Sequence, residues 1–210
     1  RDYLSKEVLK RLETAIDRRM MSDVPFGAFL SGGIDSSANV ALMSRIADQR
    51  IKTFTVGFSD HTHLNELDYA EKVAKHFDTD HHVIEVDGSD MRGYLDDLII
   101  AQDEPISDWV CVPLYFVSKL AKDSGVTVVQ VGEGSDEQFA GYDSYMKYLK
   151  LHDRLGNAGA LKSMLGAASP LLGALARAMP GRRSKFEQAY EISRRINLGH
   201  ELFYGGSNAF

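Results

Sequence analysis

Several residue types and patterns are scarce in this sequence, and their scarcity excludes whole classes of protein. A single cysteine, Cys111, excludes an internal disulfide framework. The 24 Lys and Arg residues are outnumbered by 30 Asp and Glu residues, giving a net charge of −6 with no long basic block. We therefore predict no nucleic-acid partner. The uncharged segment from Ser163 to Ala176 contains Pro170 and is shorter than the about 18 residues that a membrane-spanning helix needs, so we also predict no membrane partner. No secretory signal opens the sequence, and we expect a cytoplasmic protein.

The sequence pattern is typical of an α/β protein. Hydrophobic residues make up 44% of the 210 residues, enough for a substantial core. Nearly continuous apolar runs alternate with helical patterns, which predicts parallel strands covered by helices on both faces. We expect a sheet of about five strands within a core spanning residues 1–150, and a helical, truncated C-terminal part in residues 151–210. The strands are predicted at Val24–Leu30, Ile51–Phe58, His81–Val86 and Val126–Val131.

Local signals predict where the helices between these strands begin and end. An amphipathic helix precedes the first strand. Asn65 and Ser89 are predicted to cap the helices that follow the second and third strands. Gly125 is predicted to end the helix before the fourth strand.

The most specific motif is Leu30-Ser31-Gly32-Gly33-Ile34-Asp35-Ser36-Ser37, between the first strand and a helix. Two glycines allow a tight turn that brings backbone N–H groups close to an anion, and the start of the helix adds positive charge. The serines supply hydroxyl donors. A carboxylate within such a loop indicates bound Mg²⁺, because Asp35 would otherwise repel phosphate. The loop lacks the lysine of a Walker motif, so it is a different phosphate-binding loop.

A second motif, residues 132–142, directly follows the fourth predicted strand and reads GEGSDEQFAGY. Glu133, Asp136 and Glu137 lie within five residues, and carboxylates so close together favour a nearby cation. Both motifs are expected at the carboxyl ends of parallel strands, where ligands bind in such sheets. Asp35 and Asp136 are therefore predicted to share Mg²⁺ on the phosphates of a bound ligand.

These residues resemble a known superfamily. S-G-G-x-D-S-S after a strand is similar to the pyrophosphate-binding loop of the N-type ATP pyrophosphatases, which have an adenine nucleotide alpha hydrolase-like fold. From Pro25 to Tyr142, the sequence resembles the synthetase domain of asparagine synthetase B-type amidotransferases, including their G-E-G-S-D-E-x-F-x-G-Y signature. Many of those proteins have Ser or Thr where this sequence has Val131.

The resemblance implies adenylation of a carboxylate, most naturally aspartate, with release of pyrophosphate, followed by attack of ammonia to give asparagine or a related amide. It implies ATP and Mg²⁺ as cofactors, ammonia supplied from glutamine by an N-terminal glutaminase domain of the full-length protein, and a possible homodimer. Glu133 is the residue that it marks as catalytic. It assigns ATP and pyrophosphate binding to Phe29, Leu30, Ser31, Gly32, Gly33, Asp35, Ser36, Ser37, Val56, Val131 and Gly132.

Two other functions remain open from the sequence. The first is another N-type ATP pyrophosphatase activity, such as NAD synthesis, GMP synthesis or thiolation. A tRNA-modifying enzyme of this kind would be expected to have a basic surface or further cysteines. The second is a nucleotide-binding module without catalysis, although retention of Asp35, Glu133 and Asp136 argues against it.

Overall fold

The computed structural model describes residues 2–60, 65–104, 108, 110–156, 159–178 and 183–200. The chain divides into two compact units, Arg1–Ser135 and Asp136–Phe210. The division into residues 1–150 and 151–210 that the sequence suggests stays a prediction.

A parallel sheet forms the centre of the first unit. Its strands are β1 (Phe26–Phe29), β2 (Lys52–Phe58), β3 (Asp80–Val86) and β4 (Val128–Gln130). They are arranged in the order β3-β2-β1-β4, and each pairs in parallel with its neighbour. The predicted parallel α/β class is confirmed, with four strands in the described part of the chain against the expected five or so.

Helices connect the strands and follow them. In the first unit they are α1 (Asp2–Met20), α2 (Ile34–Ile46), α3 (Leu67–His76), α4 (Gly88–Gly93), α5 (Leu95–Ala101) and α6 (Cys111–Asp123). The short helix α7 (Ser135–Phe139) begins where the first unit ends. The second unit continues with α8 (Asp143–Gly156), α9 (Gly159–Ala167), α10 (Ser169–Ala178) and α11 (Arg183–Leu198). Within the described residues, none of these helices combines the length and the apolar composition needed to cross a membrane.

The sheet buries a separate hydrophobic core on each face, because successive strand residues point to opposite sides. Ala28 and Leu30 pack with residues of α1, α2 and α3, among them Ile16, Val40 and Ala74. On the opposite face Phe54 packs with residues of α6. The prediction of helices on both faces is therefore confirmed for the first unit.

Two of the predicted helix caps are wrong. Asn65 does not cap α3, whose N-cap is Glu66. Its amide instead accepts a hydrogen bond from the Phe58 N–H at 2.6 Å and donates one to the Phe58 carbonyl at 2.9 Å. At α4 the N-cap is Asp87 and not Ser89, because the Asp87 carboxylate accepts from two backbone N–H groups and completes a capping box. Gly125 follows α6 with φ of 78°, as expected for a residue that ends a helix.

A buried polar network joins β2 and β3. Thr53 pairs with His81 in the register of the two strands, and its Oγ1 lies 2.9 Å from both His81 Nδ1 and Thr79 Oγ1. The next residue of β3, His82, stacks on Phe54 with 5.3 Å between the ring centroids. Burial, and secondarily the neighbouring His82, lower the pKa of His81, while Glu71 opposes this shift. The half-buried imidazole of His81 is therefore harder to protonate in the folded protein than in the unfolded chain.

We expect the free energy of unfolding to fall as the pH decreases below about 6.5, the pKa of an unperturbed histidine. The unfolded chain takes up a proton at His81 there, whereas the folded protein resists it, so the stabilisation present at higher pH is lost. His81→Gln should weaken this dependence between about pH 7.5 and 5.5 in urea denaturation. The exposed His76→Gln is the control, and equal pH dependence in wild type and His81→Gln would contradict the assignment.

Candidate functional site

The glycine-serine loop lies where β1 leaves the sheet. β1 ends at Phe29, and α2 begins at Ile34 with Gly33 as its N-cap. The first N–H groups of a helix have no partner within the helix, and among the described residues no side chain caps those of α2. Asp35 lies in the first turn. The predicted strand-loop-helix context of a phosphate-binding loop is therefore present.

Hydrogen bonds within the loop hold its shape. The Ser31 N–H donates to Ser36 Oγ at 3.2 Å, and the Gly33 N–H donates to Ser31 Oγ at 3.2 Å. Ser36 Oγ also lies 2.9 Å from Ser31 Oγ and donates to the Gly33 carbonyl at 3.2 Å. Ser36 is 7% exposed. Its hydroxyl thus stabilises the conformation of the loop through hydrogen bonds within it.

Ser37 differs from the other two serines of the motif. Its Oγ is buried and makes no hydrogen bond to any described residue. A buried hydroxyl without a partner costs free energy unless a ligand or water satisfies it. Among the three serines, Ser37 is thus the one whose hydroxyl is left unsatisfied by the described residues.

Gly32 brings the loop into contact with the start of α3. Its φ is 83°, a conformation that favours glycine. A Cβ at this position would lie 2.6 Å from the backbone N of Ala70 and 2.6 Å from Tyr69 Cβ. Position 32 therefore requires glycine both for its positive φ and for its close contact with α3.

Gly132, the first residue of the second motif, packs against the same loop. A Cβ on Gly132 would lie 2.8 Å from both the carbonyl carbon and the oxygen of Asp35, and 2.9 Å from the backbone N of Ser36. The structure thus places the segment after β4 directly on the first turn of α2. Val131 and Glu133, which flank this contact, are both exposed. Within the first unit, the two predicted motifs meet at this point.

Phe29, Leu30 and Val56, which the resemblance assigns to ATP binding, lie in the carboxyl-terminal halves of β1 and β2 or just after β1. The Leu30 N–H donates to the Phe54 carbonyl at 2.9 Å, extending the pairing of these strands. Phe29 and Val56 are half-buried beside the core on the α6 face. Phe29 and Val56 therefore lie on adjacent strands.

Asp136 belongs to the second compact unit, where α7 ends in a tight turn. The Gly141 N–H donates to the Asp136 carbonyl at 2.9 Å, and Ala140 has φ of 56°. The Asp136 carboxylate lies so close to Gly141 that a Cβ there would overlap it. Nearby, Tyr142 donates to Glu137 Oε1 at 2.8 Å, which raises the pKa of Tyr142 to about 12. A magnesium ion shared by Asp35 and Asp136 stays a prediction, since the two residues belong to different units.

Thr55 is a site residue that the sequence reasoning missed. Its Oγ1 donates a hydrogen bond to the Leu30 carbonyl, at the start of the loop. Thr55 is 5% exposed and is flanked in β2 by Phe54 and by Val56. The sequence offered one signal for Thr55. It is a hydroxyl residue between apolar residues of a strand, and it stands next to Val56, a predicted nucleotide-binding residue.

Comparison with known proteins shows the family of the chain. The family model for asparagine synthase matches residues 7–202, nearly the whole chain. The chain belongs to the asparagine synthase family.

Two curated relatives carry the name of this family. Asparagine synthetase (glutamine-hydrolyzing) 1 of Bacillus subtilis is 37% identical over 164 residues, which are 78% of this chain and 26% of the relative. Putative asparagine synthetase (glutamine-hydrolyzing) 2 of Methanocaldococcus jannaschii is 40% identical over 144 residues, 68% of this chain and 27% of the relative. The chain thus spans about a quarter of the length of these relatives. Among solved structures, NMN synthetase from Francisella tularensis has a TM-score of 0.46 at 18% identity, covering 65% of this chain and 58% of that chain, a similarity too low to carry an argument.

No group of three or more His, Cys, Asp or Glu side chains suited to a metal ion occurs among the described residues. The side chains predicted to hold Mg²⁺ are carboxylates, and oxygen ligands suit this cation. Magnesium commonly takes one or two protein carboxylates and completes its coordination with phosphate oxygens and water. Asp35, half-buried in the first turn of α2 beside the loop, fits that mode of binding.

We expect Gly32→Ala to destabilise this member of the asparagine synthase family more than Gly125→Ala does. Both glycines have positive φ, but a Cβ at Gly125 would meet nothing within 4 Å, whereas at Gly32 it would overlap α3. The conformational cost common to both is about 1 kcal/mol. Overlap should add about 1–3 kcal/mol at Gly32. Urea denaturation measures the difference, and equal losses in the two variants would show that the contact with α3 is not tight.

Proposed function

We propose that the protein catalyses ATP-dependent formation of an amide from a carboxylate, with aspartate as the carboxylate. One observation carries this proposal. Gly132 of the second motif packs against Asp35 and Ser36 of the phosphate-binding loop, so both motifs contribute to one end of the sheet. Membership of the asparagine synthase family supports the same activity.

The phosphate-binding loop supplies the first part of this chemistry. Backbone N–H groups in the first turn of α2 would receive the negative charge of the phosphates, and the resemblance adds the Ser37 hydroxyl as a further donor. Gly32 allows the loop to pack against α3, and Gly33 places no side chain beside the start of α2. Hydrogen bonds of Ser31 and Ser36 hold the loop conformation. In the proposed reaction a carboxylate oxygen attacks the α-phosphorus of ATP, and pyrophosphate leaves into this loop. The product is an acyl adenylate.

The remaining proposed roles follow from position along the strand ends. Backbone groups of Phe29, Leu30 and Val56 would bind adenine, and those of Val131 and Gly132 would lie near the ribose. Mg²⁺, held by Asp35 and Asp136, would neutralise phosphate charge. Glu133, exposed after Gly132, would orient or deprotonate the incoming ammonia.

The second step forms the amide. Ammonia attacks the carbonyl carbon of the acyl adenylate, and AMP leaves with the bonding electron pair. The curated relatives are named glutamine-hydrolyzing, and we propose that the ammonia likewise comes from glutamine, through a glutaminase domain of the full-length protein.

We expect Mg²⁺ and ATP together to raise the melting temperature of the protein. A ligand that binds only the folded state stabilises it by about 2.7 kcal/mol at a concentration a hundredfold above its Kd. Asp35→Asn should remove most of this increase, because the neutral amide is a poorer ligand for Mg²⁺. Asp17→Asn, on the exposed surface of α1, is the control. If nucleotide leaves the melting of wild type unchanged, the proposed ATP site is wrong.

Pyrophosphate release by the intact protein tests the reaction itself. With ATP, Mg²⁺ and glutamine or ammonia, we expect aspartate to support release above a panel of other carboxylates. Glu133→Gln should lower the rate of amide formation by about a hundredfold or more, the usual contribution of a general base. Release supported only by a nucleotide-base carbonyl or by nicotinate adenine dinucleotide would contradict amidation of aspartate and favour another N-type ATP pyrophosphatase activity.

A further inference from the structure

The peptide unit between Leu30 and Ser31 is held at both of its polar groups by side-chain hydroxyls. Thr55 Oγ1 donates to the Leu30 carbonyl. At the other end of the same peptide, the Ser31 N–H donates to Ser36 Oγ at 3.2 Å. Leu30, Thr55 and Ser36 are 1%, 5% and 7% exposed, so the residues that supply both hydroxyls are buried, whereas Ser31 is exposed. It fixes the plane of the peptide that opens the loop.

Thr55 binds the Leu30 carbonyl just beyond the last paired residues of β1 and β2. The register of β1 and β2 runs from Gly27 paired with Lys52 to Phe29 paired with Phe54. Beyond it the chain turns away from the sheet to form the loop. The Thr55 hydroxyl supplies a hydrogen bond at this point, and a β-branched side chain has a restricted χ1 angle that holds the hydroxyl in place.

We propose that Thr55 is a positioning residue for nucleotide binding. By fixing the Leu30–Ser31 peptide, it sets the direction in which the chain enters the loop and thus the orientation of the N–H groups that face the phosphates. This inference rests on the proposed ATP site and adds to it a residue outside both sequence motifs. Thr55 acts through the loop and has no direct contact with the nucleotide in this assignment.

Thr53 provides a matched control on the same strand. It lies two residues earlier, on the same face of β2, and is 0% exposed. Its hydroxyl bonds to Thr79 and His81 and not to the loop. Replacement of either threonine by valine removes one buried hydroxyl and preserves the branched shape. A general loosening of the sheet would therefore affect both variants alike.

The experiment compares Thr55→Val, Thr55→Ser and Thr53→Val in the intact protein, with binding of ATP and Mg²⁺ measured by calorimetry. We expect Thr55→Val to raise the Kd for ATP about tenfold, as loss of one well-placed buried hydrogen bond implies. Thr55→Ser retains the hydroxyl and should bind within about twofold of wild type, and Thr53→Val should do the same. Thr55→Ala is a second variant without the hydroxyl, should Thr55→Val fail to fold.

Hydrogen exchange of the Ser31 N–H provides a readout without nucleotide. It should exchange faster in Thr55→Val than in wild type, and at the wild-type rate in Thr53→Val. Unchanged ATP binding in both hydroxyl-deficient Thr55 variants would overturn the positioning role while leaving the ATP site intact. Equal weakening in Thr53→Val would overturn it too, in favour of a general effect on the sheet. Absence of ATP binding by wild type would instead refute the proposed function, and this inference with it.

Discussion

Close approach of backbone to backbone at Gly32 and Gly132 is the constraint on which the rest of the candidate site depends. Gly32 lies against the first turn of α3, and Gly132 lies against the first turn of α2. A side chain at either position would come within 3 Å of backbone atoms that cannot rotate away. The loop is therefore shaped from both sides by segments distant from it in sequence, and its proposed ability to bind phosphate follows from that confinement.

Buried hydroxyl groups supply the polar contacts that the loop cannot obtain from the sheet. A chain that leaves a β-ladder still carries one N–H and one C=O per residue, and these groups need partners when buried. Ser36 satisfies N–H and C=O groups inside the loop, and Thr55 satisfies the carbonyl at its entrance. Ser37 is left with an unused buried hydroxyl among the described residues. The loop thus combines an internal hydrogen-bond network with one buried hydroxyl that the described residues leave unsatisfied.

Much of the first unit could be predicted from sequence because its signals are local. Apolar runs marked the four strands to within a few residues, and the glycine-serine motif marked the turn between β1 and α2. One error occurred where a local signal competed with a contact between elements, and the other where two neighbouring residues could both cap the same helix. Asn65 has the chemistry of a helix cap. In the folded protein, however, its side-chain oxygen and nitrogen both form hydrogen bonds with the backbone of Phe58. At α4 the N-cap is Asp87 and not Ser89, because the Asp87 carboxylate accepts hydrogen bonds from two backbone N–H groups.

The sequence by itself determined the fold class, the family and the chemical character of the phosphate-binding loop, because periodicity and motif spacing are properties of short segments. Only the tertiary structure decided how the three serines divide their work, why Gly132 must lack a side chain, and that Thr55 reaches the loop at all. The serine hydrogen bonds span at most five residues but need the loop conformation that packing imposes. The other two features depend on contacts between residues 25 to about 100 positions apart, such as Thr55 with Leu30 and Gly132 with Asp35. Such contacts exist only after the strands have paired and the helices have packed onto them.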